Sequence, residues 1–445
     1  MDTAETIELE ITGVAHGGIF VARHEGRVIF VPDAIPGERV RARITDASRP
    51  AFWRAEAVEV LEASESRRPH IWPEADIARA PHDRAGGADF GHIRLDAQRE
   101  LKARVIREAF ERFAHRPVDV VVEAAGADET PDGTGWRTRL SLHVGPDGAV
   151  GPYAARSHHI VPVTSLPLAA PALAEAALQL GTRRGDRVDL VLPSDGQVRV
   201  IERTDGSGPR RGSRSGPRRG ADSAGHEVVV ETARGRPFRV DAGGFWQVHR
   251  LAAQTLADAV AKALASTGFD PDAPNLDLYG GVGLFAAVMG EVGGSSTRVA
   301  TVESASRATH HAARNLRDWG NAEAITARVD RFLAAEVAEV AEVSEASGSP
   351  ADPYHEATVL LDPPRAGAGA GVVQAIAALA PRTVIYVACD PVALARDTAT
   401  FEAEGYELRD LRALDLFPNS HHVEAIAVFD RAAARAATGS IASPR

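Results

Sequence analysis

The chain has 445 residues, of which 44% are hydrophobic and 25% charged, with a net charge of −11. This is the balance of a globular protein long enough to bury several cores without staples. A single cysteine excludes an internal disulfide and any multi-cysteine zinc or iron–sulfur site. No apolar run approaches the ~18 residues of a membrane span, and the N-terminus MDTAETIELEITG carries acids where a signal peptide carries bases. The expected location is therefore the cytoplasm, with no membrane contact. Net acidity argues against a generally basic nucleic-acid coat, but a local basic groove is enough to hold phosphate.

Residues 7 to 61 read as a compact β module. IELEITGV, GIFVARH, RVIFVP, RVRARI and FWRAEAVEVLE are β-branched runs separated by the turn signals His16-Gly17-Gly18, Glu25-Gly26 and Pro36-Gly37. Short strands in this number predict a small closed barrel of the OB type, expected over 1–62, because closure removes exposed edges. Residues 62–93 look irregular, and 95–113 have helical period. An α+β middle domain, 63–235, is expected next, with strands at RTRLSLHV, GDRVDLVL and QVRVIER and a helix near 168–181. Within it, 204–226 contains GPRRGSRSGPRRG and is expected to be disordered, equally consistent with a solvated linker and with loose RNA contact through its arginines.

From 236 to 431 strand-like and helical runs alternate regularly: NLDLY, RVATVE, EAITA, ATVLLD, TVIYVA and finally VEAIAVFD. Apolar strands alternating with helices predict a parallel sheet covered on both faces. An acidic stretch from Ala335 to about 356 interrupts the series and is expected to begin as a frayed helix, and 432–445 reads as a tail.

Four places carry chemistry. Asp277-Leu278-Tyr279-Gly280-Gly281-Val282-Gly283 joins the first of these strands to a helix, and Glu303, 22 residues after Gly281, ends the next strand. Glycines that admit a ligand, followed by an acid for ribose hydroxyls, predict a nucleoside cofactor. The lack of a full G-x-G-x-x-G favours S-adenosyl-L-methionine, which has no pyrophosphate to cradle. Asp362 precedes Pro363 and Pro364 in a stiffened loop at a strand end. Cys389 follows the next strand and precedes a helix, whose N-terminus is expected to stabilise a thiolate. Glu424 opens the last strand. The pairs His158-His159, His310-His311 and His421-His422 lack metal-ligand spacing and read as surface or packing residues.

With GGFWQVHR (243–250), DLYGGVGLF, VLLDPPRAG (359–367), VIYVACDPVALARD (384–397) and LDLFPNSHHVEAIAVF (414–429), the chain resembles the RNA uracil-5-methyltransferase family over most of its length. The resemblance implies a TRAM-type barrel, an α/β class I methyltransferase domain with a Rossmann-like fold, and transfer from S-adenosyl-L-methionine to carbon 5 of a uridine in tRNA or rRNA. It implies Cys389 as nucleophile and Glu424 as base, with Gln247, Tyr279, Glu303, Asp330 and Asp362 around the cofactor. No obligate protein partner is implied. Three departures stand out. Gly280 replaces a cysteine common in the family, a change expected not to matter to backbone geometry. Ala85-Gly86-Gly87-Ala88 replaces a CGGC element, so no iron–sulfur cluster is expected. The arginine-rich and acidic stretches have no counterpart. The chemistry fits the residues independently: a thiolate adding at carbon 6 makes carbon 5 nucleophilic, and a base then removes the carbon 5 proton. Two other readings remain open. An RNA cytosine-5 methyltransferase commonly shows a second cysteine, which this chain lacks, and a non-catalytic RNA-binding protein would not need Asp362, Cys389 and Glu424 together.

Overall fold

In the computed structural model the described residues are 6–127, 129–155, 157–204, 224–349 and 351–432. The arginine-rich stretch expected at 204–226 lies mostly outside them, as does the tail beyond 432. Strands β1 (Thr6–Ala15), β2 (Ile19–His24), β3 (Arg27–Val31), β4 (Arg39–Asp46) and β5 (Phe52–Glu62) close into a barrel in the order β1-β2-β3-β5-β4. Alternation puts Leu9, Ile11, Phe20, Ala22, Ile29, Val31, Val40 and Ala57 inside. Helix α1 (Leu95–Ala109), prolonged by a π-helical turn over Phe110–Ala114, has two partners. Its Leu101 packs in the barrel's core, while Ala103, Ile106 and Ala109 pack with the C-terminal sheet. One helix thus fixes the barrel against the rest of the molecule.

The middle of the chain gives β6 (Val122–Ala124), β7 (Arg139–Val144), β8 (Val150–Gly151), helix α2 (Pro171–Leu178), β9 (Arg187–Val191) and β10 (Arg199–Arg203). The last four of these strands form a sheet in the order β10-β9-β7-β8. A hairpin, β11 (Val228–Ala233) and β12 (Arg236–Asp241), turns at Arg234-Gly235 and buries Val229, Phe238 and Val240 against helix α3 (Ala252–Thr267).

The remaining strands are β13 (Asn275–Leu278), β14 (Val299–Glu303), β15 (Ala322–Thr326), β16 (Thr358–Leu361), β17 (Thr383–Ala388), β18 (Tyr406–Asp415) and β19 (Glu424–Arg431). Between them run α4 (Leu284–Gly293), α5 (Ser306–Asn315), α6 (Val329–Ser347), α7 (Ala370–Leu379) and α8 (Pro391–Ala403). The sheet order is β15-β14-β13-β16-β17-β19-β18-β6, parallel from β15 to β17. The chain winds outward from β13 in one direction and resumes at β16 in the other. Strand order reverses between β13 and β16, where doubly wound sheets bind ligands outside the strands' carboxyl ends.

Two expectations need correction. The sheet is not parallel throughout, because β19 pairs antiparallel with both β17 and β18, and β6 is added from the middle of the chain. Strand β18 was missed because Glu407, Arg409, Asp410 and Arg412 and a bulge near Asp410 mask its alternation. The acidic stretch does not fray at once: α6 continues to Ser347, with Val337 and Val340 packed on the core and the Tyr354 hydroxyl donating to Glu336 Oε2 at 2.5 Å.

Candidate functional site

A cleft of about 1380 Å³ opens at the carboxyl ends of β13, β14, β16 and β17, walled on its other sides by the barrel and the middle sheet. Gln247, Tyr279, Glu303, Asp362, Cys389 and Glu424 all line it. Asp330 does not: it sits in the first turn of α6, exposed, with Oδ2 2.8 Å from Arg328 Nη2.

The glycine-loop side is built around a buried acid. Asp277, within β13, accepts the amide of Ala286 at 3.1 Å and the hydroxyl of Thr301 at 3.0 Å through Oδ2. Oδ1 has no partner among the described residues, and burial pushes the Asp277 pKa up to about 7. The chain leaves β13 through Tyr279 (φ 61°), Gly281 (φ 56°) and Gly283 (φ 85°). Left-handed φ at a tyrosine is a strained choice that the surrounding contacts enforce. A side chain on Gly281 would meet nothing within 4 Å, so its backbone faces open space. Gly280 differs. A Cβ there would lie 1.9 Å from Thr301 Oγ1 and 2.5 Å from Asp277 Oδ2. The space a side chain would need at 280 is filled by the threonine that satisfies Asp277. At the end of β14, Glu303 Oε1 accepts the Ala305 amide at 2.7 Å and the Ser304 hydroxyl at 3.0 Å. Neither bond uses Oε2. Beside them on the cleft wall, Asp241 accepts from Arg307 Nη2 at 2.7 Å and pairs with His311 Nε2 at 2.8 Å.

On the opposite side, Cys389 directly follows β17, half-buried. Its pKa is pushed up to about 12, by burial first and then by the charges of Glu424 and Asp362, with Arg365 pulling the other way. The expected stabilisation of a thiolate by the helix N-terminus is not realised. The free amides of α8 go to the neighbouring residue: Asp390 Oδ1 accepts Val392 N at 3.0 Å and Ala393 N at 2.8 Å. Glu424 is 5% exposed, and burial, then Asp362, raises its pKa well above the ordinary carboxylate value. Asp362 is raised to about 7 by burial and by Asp277. At neutral pH Cys389 and Glu424 therefore hold their protons, and Asp362 is divided between its two forms.

Sequence reasoning missed several cleft residues. Arg137 and Arg365 bring positive charge, and Arg365 lies close enough to lower the pKa of Arg137, Cys389 and His422. His421 and His422 are not incidental. His421 Nδ1 lies 2.7 Å from Asp89 Oδ2, and His422, lining the cleft, is held neutral with a pKa of about 3 by burial. Their place two and three residues before Glu424 was the available signal. Phe245 is 73% exposed on the cleft wall, two residues before Gln247, and no periodicity marks it. Among the described residues no group of three or more His, Cys, Asp or Glu could hold a metal ion, and no helix is long and apolar enough to cross a membrane.

Comparison with known proteins bears on both ends of the chain. The tRNA (Uracil-5-)-methyltransferase family model matches residues 239–432, and the TRAM domain model matches residues 3–58. A Streptomyces avermitilis protein named as an RNA methyltransferase is 38% identical, covering 96% of this chain and 99% of its own. A Bifidobacterium longum protein of the same description is 36% identical over 95% and 96% of the two chains. Among solved structures, the Pyrococcus abyssi tRNA (uracil-54, C5)-methyltransferase in complex with S-adenosyl-L-homocysteine superposes with a TM-score of 0.66. It is 20% identical and covers 95% of this chain and 99% of that one, a likeness of fold.

Proposed function

Because the chain belongs to the family of RNA (uracil-5-)methyltransferases, we propose that it methylates carbon 5 of a uridine in tRNA or rRNA through a covalent adduct on Cys389. The observation that carries this reading is the meeting of Cys389, Asp362 and Glu424 around Arg365 in one cleft, beside the glycine loop. The residues present suit S-adenosyl-L-methionine. Gly281 leaves room for its close approach, and Glu303 has an oxygen to accept from ribose hydroxyls, with Gln247 and Tyr279 beside them. Asp330, turned towards Arg328, would have to swing inward to contribute. When bound, S-adenosyl-L-methionine supplies an electrophilic methyl on a sulfonium whose positive charge favours loss of the protons that burial holds on Cys389 and Glu424.

The chain's own part follows. Cys389, deprotonated, adds to carbon 6 of the uracil ring, which leaves the negative charge on the ring's carbonyl oxygen and makes carbon 5 nucleophilic. Arg365 and protonated Asp362 can donate hydrogen bonds to that charge. Once carbon 5 carries the methyl group, Glu424 as carboxylate takes its remaining proton. The ring regains its double bond as the carbon–sulfur bond breaks, freeing Cys389. The base must leave its stack to enter a cleft this deep, so a flipped or single-stranded uridine fits. Arg137 and Arg365 crowd each other's charge, which a nearby phosphate would relieve.

The test separates the two residues. Cys389→Ala should form no adduct and transfer no methyl group. Glu424→Gln should accumulate a denaturation-resistant protein–RNA species labelled from the cofactor, because the methylated ring stays bonded to Cys389. Methylation by Cys389→Ala would sink the thiolate route. Mass mapping of nucleosides in tRNA and rRNA from cells with and without the gene identifies the target.

A further inference from the structure

The N-terminal barrel reaches the loop that carries Cys389. The turn between β1 and β2 carries His16, whose Nε2 lies 3.2 Å from Asp390 Oδ2. Asp390 follows Cys389 directly, and its other oxygen caps α8. One oxygen therefore ties the loop to the helix and the second ties it to the barrel. The turn is pressed firmly into place: a Cβ on Gly18 would lie 2.4 Å from Asp89 Oδ2 and 2.5 Å from His421 Cβ. Asp89 and His421 are themselves paired, so the barrel turn abuts the segment leading into Glu424 as well as the loop after Cys389. Between the turn and that loop lies a separate cavity of about 230 Å³, walled by Gly17, Gly18, Arg365, Cys389, Asp390 and His422. The Cys389 loop thus has open space behind it, with His16 spanning to it from the barrel.

We infer that His16 is a positioning residue for methyl transfer, which fixes Asp390 and through it Cys389, so that the barrel takes part in the chemical step and does not serve RNA affinity alone. The inference rests on Cys389 being the nucleophile. A thiol attacking a ring carbon has to be held within a few tenths of an ångström, and Cys389 stands in a two-residue connection whose other member, Asp390, is the residue that His16 reaches. The bond needs only a proton on Nε2, so it persists whether the ring is neutral or charged.

The experiment uses the full-length protein with transcribed tRNA and rRNA that lack 5-methyluridine, and with the same RNAs containing 5-fluorouridine. His16→Ala should lower kcat about tenfold, the worth of one charge-assisted hydrogen bond, with KM changed by no more than about twofold. Adduct formation with fluorinated RNA should slow by the same factor. His16→Gln, whose amide N–H reaches towards Asp390, should recover most of the rate. Adding Asp390→Asn to His16→Ala should cost little more, because both act through one contact. A raised KM with unchanged kcat would confine the turn to RNA docking and overturn the inference. So would fully additive losses, or equal losses in His16→Ala and His16→Gln accompanied by a lowered melting temperature. If the wild-type protein methylates RNA but forms no adduct, the nucleophile reading falls and takes this inference with it. If the adduct forms and His16→Ala turns over normally, only the role of His16 falls.

Discussion

Cys389 rests as a thiol. Burial and two acidic neighbours hold its pKa near 12, against an ordinary value of 9.0, and Arg365 is the cation that opposes them. The thiolate fraction of the unliganded protein is therefore small at neutral pH and keeps growing well above pH 9. Iodoacetamide labelling of this single cysteine, followed by mass spectrometry, should accelerate steadily with pH and show no plateau near 9. Arg365→Met removes the cation and keeps most of the stem, so labelling at a given pH should slow further. A plateau near pH 9, or faster labelling in Arg365→Met, would mean that the thiol does not sense this environment. The protection has a use: a nucleophile kept protonated until positive charge enters is spared adventitious alkylation and oxidation.

The glycine loop between β13 and α4 shows how an element enforces its sequence. Thr301 on β14 reaches across to Asp277 on β13, and that hydrogen-bonded pair occupies the space a side chain at 280 would need. Gly280→Ala should therefore push the loop outward or break the Thr301–Asp277 bond. We expect S-adenosyl-L-homocysteine affinity, measured by titration calorimetry, to fall at least about tenfold, and thermal stability to drop by several degrees. Thr301→Ala in the same chain should return part of the affinity, because it removes the 1.9 Å contact. Unchanged affinity in Gly280→Ala would show that the loop yields freely. The same logic applies to α8, whose cap Asp390 takes the amides that the sequence reading had assigned to the cysteine's benefit.

Across the whole molecule, stability couples to pH through buried histidines. His92 and His422 have pKa values lowered to about 3 and His249 to about 4, all by burial. The folded state resists protonation that the unfolded chain accepts near 6.5. Their stabilisation is thus complete above about pH 6.5 and is lost as pH falls towards 3. His92, buried beside Ala34's carbonyl at 3.1 Å, contributes on the order of 4 kcal/mol over that range. Calorimetric melting should show its steepest decline below about pH 4, where no buried acid offsets the histidines, and that decline should be shallower in His92→Gln, which keeps an N–H for Ala34. Asp277 and Asp362 act in the opposite sense: with folded pKa values near 7, they stabilise fully below about pH 4 and cease to as pH rises through 7. A flat acid limb would show that the two sets cancel. At this scale too, the arginines within 205–223 should add RNA affinity only through diffuse charge. Deleting 205–223 should weaken RNA binding at low salt, leave it unchanged at high salt, and spare cofactor binding.

How much of this was legible in the amino-acid sequence depended on how local each signal was. Strand period, turn residues and the ends of apolar runs are local, so the barrel, the strand–helix alternation and the rim positions of Tyr279, Glu303, Asp362 and Cys389 could be read directly. In a doubly wound sheet the carboxyl ends of the parallel strands face the same cleft, so finding those ends was enough to bring these residues together. What the side chains experience there was not legible. The protonated state of Cys389 arises from burial and then from Glu424, 35 positions later, and Asp362; the space beside Gly280 is taken by Thr301; Asp330 pairs with Arg328 outside the cleft. Strands β6 and β18 find each other across almost 300 residues, and His16 reaches Asp390 across nearly the whole chain. Burial and electrostatic coupling depend on distance in space, which only the tertiary structure decided.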